Sequence, residues 1–191
     1  GLLEFKQQFP DRLFDVGIAE EHAVSMAGGL AKQGMVPVVA IYSTFLQRGY
    51  DQALHDVCIQ NLPVTFMIDR AGISNEDGQS HQGLFDMAFL RHIPGMTLIA
   101  PADEQELRMA VHAAYELNAP CAIRYPKSAV ALPEGAAISS FTIGKWETLT
   151  EGSEATLLAV GSMTAAAMRV AAQLAENGLS VRVINASTIK P

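Results

Sequence analysis

Apolar residues in this chain form two kinds of run. Short unbroken ones, rich in β-branched residues, lie at 37–42, 63–69, 96–100 and 121–125. Runs of this kind predict strands buried on both faces of a sheet. Between them the apolar positions recur at helical spacing. Leu2, Leu3, Phe5 and Phe9 share one face of a segment over 2–9, and Ala23, Val24, Ala27, Leu30 and Ala31 line a helix from about 20 to 32. Further helices are expected over about 44–60, where Ser43 offers a cap, and near 84–91. Another opens at Asp103, with Glu106 at capping-box spacing and a stripe of Leu107, Val111, Ala114 and Tyr115. A shorter apolar run at 13–16 predicts one more strand, ending at Gly17. Strands alternating with helices specify an α/β fold, a mostly parallel sheet with helices on both faces.

Periodicity is lost from 127 to 140, where Pro133, Gly135 and a run of small residues mark a linker. A second unit begins at 141, with strands expected over 141–149, 154–160 (buried) and 179–185 and an alanine-rich helix over 164–176. This start of a second α/β domain is too short to close a core of its own. The chain opens on Gly1 and stops at Pro191, and both ends read as cuts within a longer polypeptide.

Composition narrows the class. Of 191 residues 49% are apolar and 17% charged, as in a globular protein with a large core. The net charge of -7 argues against a nucleic-acid partner, which asks for a basic face. No apolar run approaches the ~20 residues needed to span a bilayer, and no leader peptide is visible, so a cytoplasmic protein is expected. The two cysteines, Cys58 and Cys121, sit in apolar surroundings and read as buried small hydrophobes.

Polar residues collect where the strands end, the place at which an open α/β sheet holds its ligand. Glu20 follows the first run; Tyr42, Phe45 and Arg48 follow the second. Asp69 and Arg70 end the third, Asp77 and His81 lie in its glycine-rich loop over 71–83, and Arg124 closes the last. Such a rim suits a flat heteroaromatic ring together with an anionic substrate. Each residue also has an ordinary structural reading. Glu20 suits the first turn of a helix through the helix dipole alone. Phe45 and Tyr42 taken singly read more readily as core than as stacking platforms, and Arg48 and His81 more readily as solvated surface groups. Arg124, inside an apolar strand, requires an anionic partner because a buried guanidinium cannot shed its charge.

Four strings, DVGIAEEHAV, YSTFLQRGYDQ, DRAGISNEDGQSHQG and AIRYPK, carry a closer likeness. In this order the chain resembles the central and following segments of the 1-deoxy-D-xylulose-5-phosphate synthase family, in the thiamine-diphosphate transketolase group. The resemblance implies a pyrimidine-binding domain over 1–126, lacking its first strand, a linker over 127–140 and the start of the C-terminal domain over 141–191. It implies a homodimeric enzyme of isoprenoid and thiamine biosynthesis. That enzyme condenses pyruvate with glyceraldehyde 3-phosphate with loss of carbon dioxide, and the cofactor ring serves as electron sink. By motif, Glu20 matches the glutamate that hydrogen-bonds a ring nitrogen of the aminopyrimidine. Phe45 and Arg48 match residues packed on that ring. Tyr42, Arg70 and Arg124 match the sugar-phosphate site, and Asp77 and His81 the polar pair that binds substrate oxygens and relays protons.

Two positions depart from the family pattern. The loop reads DGQSHQG without the usual proline, which implies a less rigid loop, and Lys127-Ser128 stands where Arg-Gly is common. The N-terminal domain that holds the magnesium ion and the diphosphate is not in the chain, and Glu76-Asp77-Gly78 does not replace its motif. The chain alone is therefore expected neither to bind thiamine diphosphate tightly nor to turn over. Another transketolase-group enzyme, a 2-oxoacid dehydrogenase β-subunit and a non-catalytic module are the alternatives. The DRAG loop and AIRYPK speak against the first two, and the absent domain favours the third.

Overall fold

The computed structural model describes residues 2–74 and 77–191. Asn75 and Glu76, part of the expected loop over 71–83, lie outside the described residues. The first sheet holds β1 (Val38–Tyr42), β2 (Thr65–Asp69), β3 (Thr97–Ile99), β4 (Cys121–Arg124) and an unforeseen strand, β8 (Thr188–Lys190), in the order β1-β2-β4-β3-β8. The first four are parallel, and β8 runs antiparallel to β3. The second sheet, β5 (Glu147–Thr150), β6 (Ala155–Ala159) and β7 (Val181–Asn185), has the order β5-β7-β6.

Alternation along the strands builds two cores. Phe66, Ile68, Leu98 and Ala122 face one side, and Met67, Ile99, Cys121 and Ile123 the other. The first side is covered by α2 (Glu20–Lys32), by a broken helical stretch over 43–58, and by α5 (Asp86–Arg91). α6 (Glu104–Leu117) covers the second. The reason is topological. Right-handed crossovers keep the connections from β1 through β2 to β3 on one face, so the return from β3 to β4 must cross the other.

Several expectations are corrected. The run at 13–16 forms no strand: Leu13 is extended, but neither sheet offers it a neighbour, and Phe14 is exposed. Over 44–60 the single helix is interrupted, giving α3 (Ser43–Leu46), a 3-10 turn at Gln47–Gly49, α4 (Tyr50–Gln52) and a π-helical turn at Ala53–Cys58. The break lies at Gly49, where a Cβ would stand 3.1 Å from the Val24 side chain, so the turn packs directly on α2. Ser43 does not cap. It is the first residue of α3, and its buried hydroxyl faces Gly83. β1 is an edge strand that α6 does not reach, so Val38 and Ala40 are exposed while Val39 and Ile41 are buried. α1 (Leu3–Gln8) forms as expected, yet none of its residues is buried, and among the described residues Phe5 and Phe9 make ring contacts only with each other.

In the second unit only Glu147–Thr150 of the run 141–149 is a strand. β6, an edge strand covered on one face by α7 (Met163–Glu176), is largely exposed rather than buried. Asp103 does cap α6, accepting the Glu106 N–H at 2.8 Å. Glu106 does not close the capping box on Asp103: its buried carboxylate takes the Ala102 N–H at 2.7 Å and the Asn185 Nδ2 donors at 2.9 and 3.0 Å. Asn185 thus ties β7 to α6 across the two units. Burial pushes the thiols of Cys58 and Cys121 up to about 12, so both stay protonated and inert.

Candidate active site

Parallel strands in register deliver their carboxyl ends to one rim. Tyr42 is paired with Asp69 and Ile68 with Arg124, so Tyr42, Asp69-Arg70 and Arg124 stand in a row across β1, β2 and β4. Arg70 turns the chain out of β2 with φ of 56°, a left-handed conformation that a bulky residue adopts at a cost. Its guanidinium then lies 3.9 Å from the centroid of the Tyr42 ring and pairs with Asp69 and, from Nε at 3.4 Å, with Asp77. Tyr42 stacks on Phe45 with centroids 5.2 Å apart and planes 9° from parallel. His81 meets Phe45 edge-on, with centroids 5.2 Å apart. The sequence-predicted Tyr42, Phe45, Arg70, Asp77 and His81 thus form one connected cluster.

The loop over 71–83 is fastened at its base. Gly72 and Gly83 exchange two backbone hydrogen bonds of 2.8 Å, and a Cβ on Gly83 would sit 2.1 Å from the Arg70 carbonyl oxygen. Where proline is missing, Gln82 provides a staple: its amide oxygen accepts the Ser74 N–H at 2.7 Å, and Nε2 donates to the Ser74 and Gly78 carbonyls at 2.8 Å. Ser74 Oγ in turn donates to Asp77 at 2.7 Å, and Lys127 reaches the second Asp77 oxygen at 2.9 Å. Hydrogen bonds from Lys127 and Ser74 hold the Asp77 carboxyl down at about 2, so it is an anion and an acceptor at any working pH. Gln82 and Ser74 were not legible as site residues. Their signal, an amide and a hydroxyl in a glycine-rich loop, is common to ordinary loops.

Glu20 is the first residue of α2 and is buried, with 8% exposure. Its Oε2 has no hydrogen-bond partner among the described residues, and Arg48 lies 3.6 Å away with most of its side chain in solvent. An unsatisfied buried carboxylate oxygen calls for an N–H donor. With the flat Arg48 guanidinium 3.6 Å away, the pair fits a planar heteroaromatic ring that offers a ring nitrogen, as the aminopyrimidine of thiamine diphosphate does. Magnesium finds no such fit: among the described residues no group of three or more His, Cys, Asp and Glu is placed to hold a metal ion.

Arg124 has the anionic partner its burial required. Asp86, fully buried at the start of α5, accepts from Arg124 Nε at 2.9 Å. Asp86 had not been singled out, since 38 residues separate the two.

Residues 1–133 match the family described as transketolase, pyrimidine binding domain, and residues 144–191 that described as transketolase, C-terminal domain. The whole chain is similar to proteins named 1-deoxy-D-xylulose-5-phosphate synthase, at 54% identity in Pelotomaculum thermopropionicum and 53% in Halothermothrix orenii. It spans only 30% of the length of each. A solved structure titled as the inactive β4 tetramer of a split-gene transketolase superposes with a TM-score of 0.89 at 33% identity, over 98% of this chain and 61% of that one. Transketolase from Campylobacter jejuni shares the fold at a TM-score of 0.80 and 22% identity, over 92% and 28% of the two chains.

Proposed function

The chain belongs to the transketolase pyrimidine-binding domain family, and on that premise we propose that it supplies the pyrimidine half of a 1-deoxy-D-xylulose-5-phosphate synthase. The observation that carries this reading is the buried Glu20 oxygen left without a hydrogen-bond partner beside the Arg48 guanidinium. Bound thiamine diphosphate supplies the electron sink for loss of carbon dioxide from pyruvate. Glu20 accepts a hydrogen bond from a pyrimidine nitrogen and holds a proton there. Phe45 and Arg48 offer the ring its stacking surfaces. In the condensation the bond between the pyruvate carboxyl and carbonyl carbons breaks, and its electron pair forms the bond to the aldehyde carbon of glyceraldehyde 3-phosphate. The aldehyde oxygen then takes a proton. His81 delivers it, and the ionised Asp77 orients the neighbouring hydroxyl.

Tyr42, Arg70 and Arg124 hold the phosphate. Arg70→Ala and Arg124→Ala should each raise the KM for glyceraldehyde 3-phosphate about tenfold, as a charge-assisted bond is worth. The KM for pyruvate should stay put. A shift confined to pyruvate would remove the phosphate assignment.

The magnesium ion and the diphosphate are held, in this reading, by a segment outside residues 1–191, and the working enzyme is a cytoplasmic homodimer. Two observations support a partner surface. Ile18 beside Glu20 is 91% exposed and Ile73 in the loop 77%, and the similar split-gene transketolase structure is titled an inactive β4 tetramer. Among the described residues no helix is long and apolar enough to cross a membrane. Domain limits near 126 and 141 accord with the loss of regular structure between β4 and β5. The test is direct. The full-length enzyme should release carbon dioxide and form 1-deoxy-D-xylulose 5-phosphate from the two substrates. Residues 1–191 alone, titrated calorimetrically with thiamine diphosphate and magnesium, should show no micromolar binding, because one hydrogen bond and stacking do not repay the freedom lost on association. Micromolar binding would sink the split of the site.

A further inference from the structure

We propose that Asp86 is a positioning residue for phosphate recognition, acting only through Arg124. The proposal deepens the reading above and rests on it. Asp86 is fully buried, and both its oxygens are committed: Oδ1 accepts the Met87 N–H at 2.8 Å and Oδ2 accepts Arg124 Nε at 2.9 Å. A guanidinium carries five N–H donors in one rigid plane. Fixing Nε on a carboxylate whose two oxygens are both engaged restricts the orientation of that plane and leaves donors of the terminal nitrogens for a phosphate. Arg124 closes β4 at the rim where Tyr42 and Arg70 stand, and its side chain is 11% exposed. The guanidinium is thus held from behind, at a point of the rim where a dianionic group would approach.

Position matters as much as pairing. Asp86 follows Gly83 by three residues, and Gly83 is pinned against the Arg70 carbonyl and Ser43. The carboxylate that meets Arg124 therefore starts its helix just past the pinned end of the loop and has a fixed place relative to the rim. A lysine could answer the charge of Asp86, but a single ammonium cannot hold Asp86 and present a planar fork to a phosphate at once.

Asp86→Asn separates positioning from packing. The amide keeps the volume, yet in either flip it turns an NH2 toward the Met87 N–H or the Arg124 Nε–H, so Arg124 loses its fixed plane. In the full-length enzyme, kcat/KM should be measured with glyceraldehyde 3-phosphate and with unphosphorylated glyceraldehyde. The expected result is a fall of about tenfold with the phosphorylated aldehyde only, while turnover of glyceraldehyde and cofactor binding are kept. An equal fall with both aldehydes, or no change, would overturn the proposal. If Asp86→Asn yields no folded protein, Arg124→Lys decides. It leaves Asp86 a cationic neighbour and should lose the preference for the phosphorylated aldehyde; full retention of that preference would overturn the proposal. Arg124→Ala runs alongside. If it leaves the preference intact, the phosphate reading of Arg124 fails and the proposal with it; if it abolishes the preference while Asp86→Asn does not, only the role of Asp86 fails.

Discussion

Glu20→Gln in the full-length enzyme is expected to lower turnover by roughly a hundred- to ten-thousandfold, the range over which a positioned acid or base contributes, with the fold unchanged. The glutamine side chain has the same length and volume, and the buried start of α2 packs through Val24 and Ala27 rather than through the carboxylate. What the amide lacks is charge. It can accept a hydrogen bond from a ring nitrogen, but it cannot favour a proton there, and it removes the anion beside Arg48. Exchange of the cofactor's acidic carbon-bound proton in deuterium oxide reads this step apart from substrate binding. Wild-type exchange in the variant would take Glu20 out of the chemistry.

Gly83→Ala should be nearly as damaging to activity, for a purely steric reason. The new Cβ would fall 2.1 Å from the Arg70 carbonyl oxygen and 2.8 Å from Cβ and Oγ of Ser43. None of these atoms belongs to a flexible chain end, so the strand of the loop that carries Gly83 must move out. That breaks both 2.8 Å bonds to Gly72 and shifts His81 off Phe45. A displacement of about 1 Å at a reacting group costs on the order of a hundredfold in rate. The rest of the protein should lose only about 1–3 kcal/mol, as for an overpacked site. Activity, measured beside thermal unfolding, checks this: a variant that keeps wild-type turnover would mean the loop does not position the reacting groups.

Legibility in the sequence followed the range of the interactions. The helix Glu20–Lys32 showed itself through local spacing of small residues, and the Asp103 cap through residues three apart. The candidate rim was readable because its residues occur as short strings at strand ends. The failures all involve partners distant along the chain. The run at 13–16 has the composition of a strand, but a strand exists only beside another, and no neighbour is there. The interruption over 43–58 is set by Gly49 meeting Val24, a contact of tertiary packing. Arg124 announced its need for an anion, but nothing near it in sequence named Asp86. Exposure of β6 and of one face of β1 depends on which helix reaches which edge.

The antiparallel strand β8 has a consequence for how this polypeptide could be divided or recombined. Thr188–Lys190 completes the sheet of the first unit, and Asn185 satisfies the buried Glu106 on α6. A break in the connection between β4 and β5 would sever the backbone yet leave two complementary pieces: the first with an uncovered edge on β3 and an unanswered buried carboxylate, the second with the strand and the amide that answer them. Such pieces would recognise one another as complementing fragments. A chimera that imported its second unit from a relative would have to bring along an amide donor at the position of Asn185 and a strand able to pair with Leu98 and Ile99. The seam between the two family segments is therefore not a cleavage plane in the folded molecule.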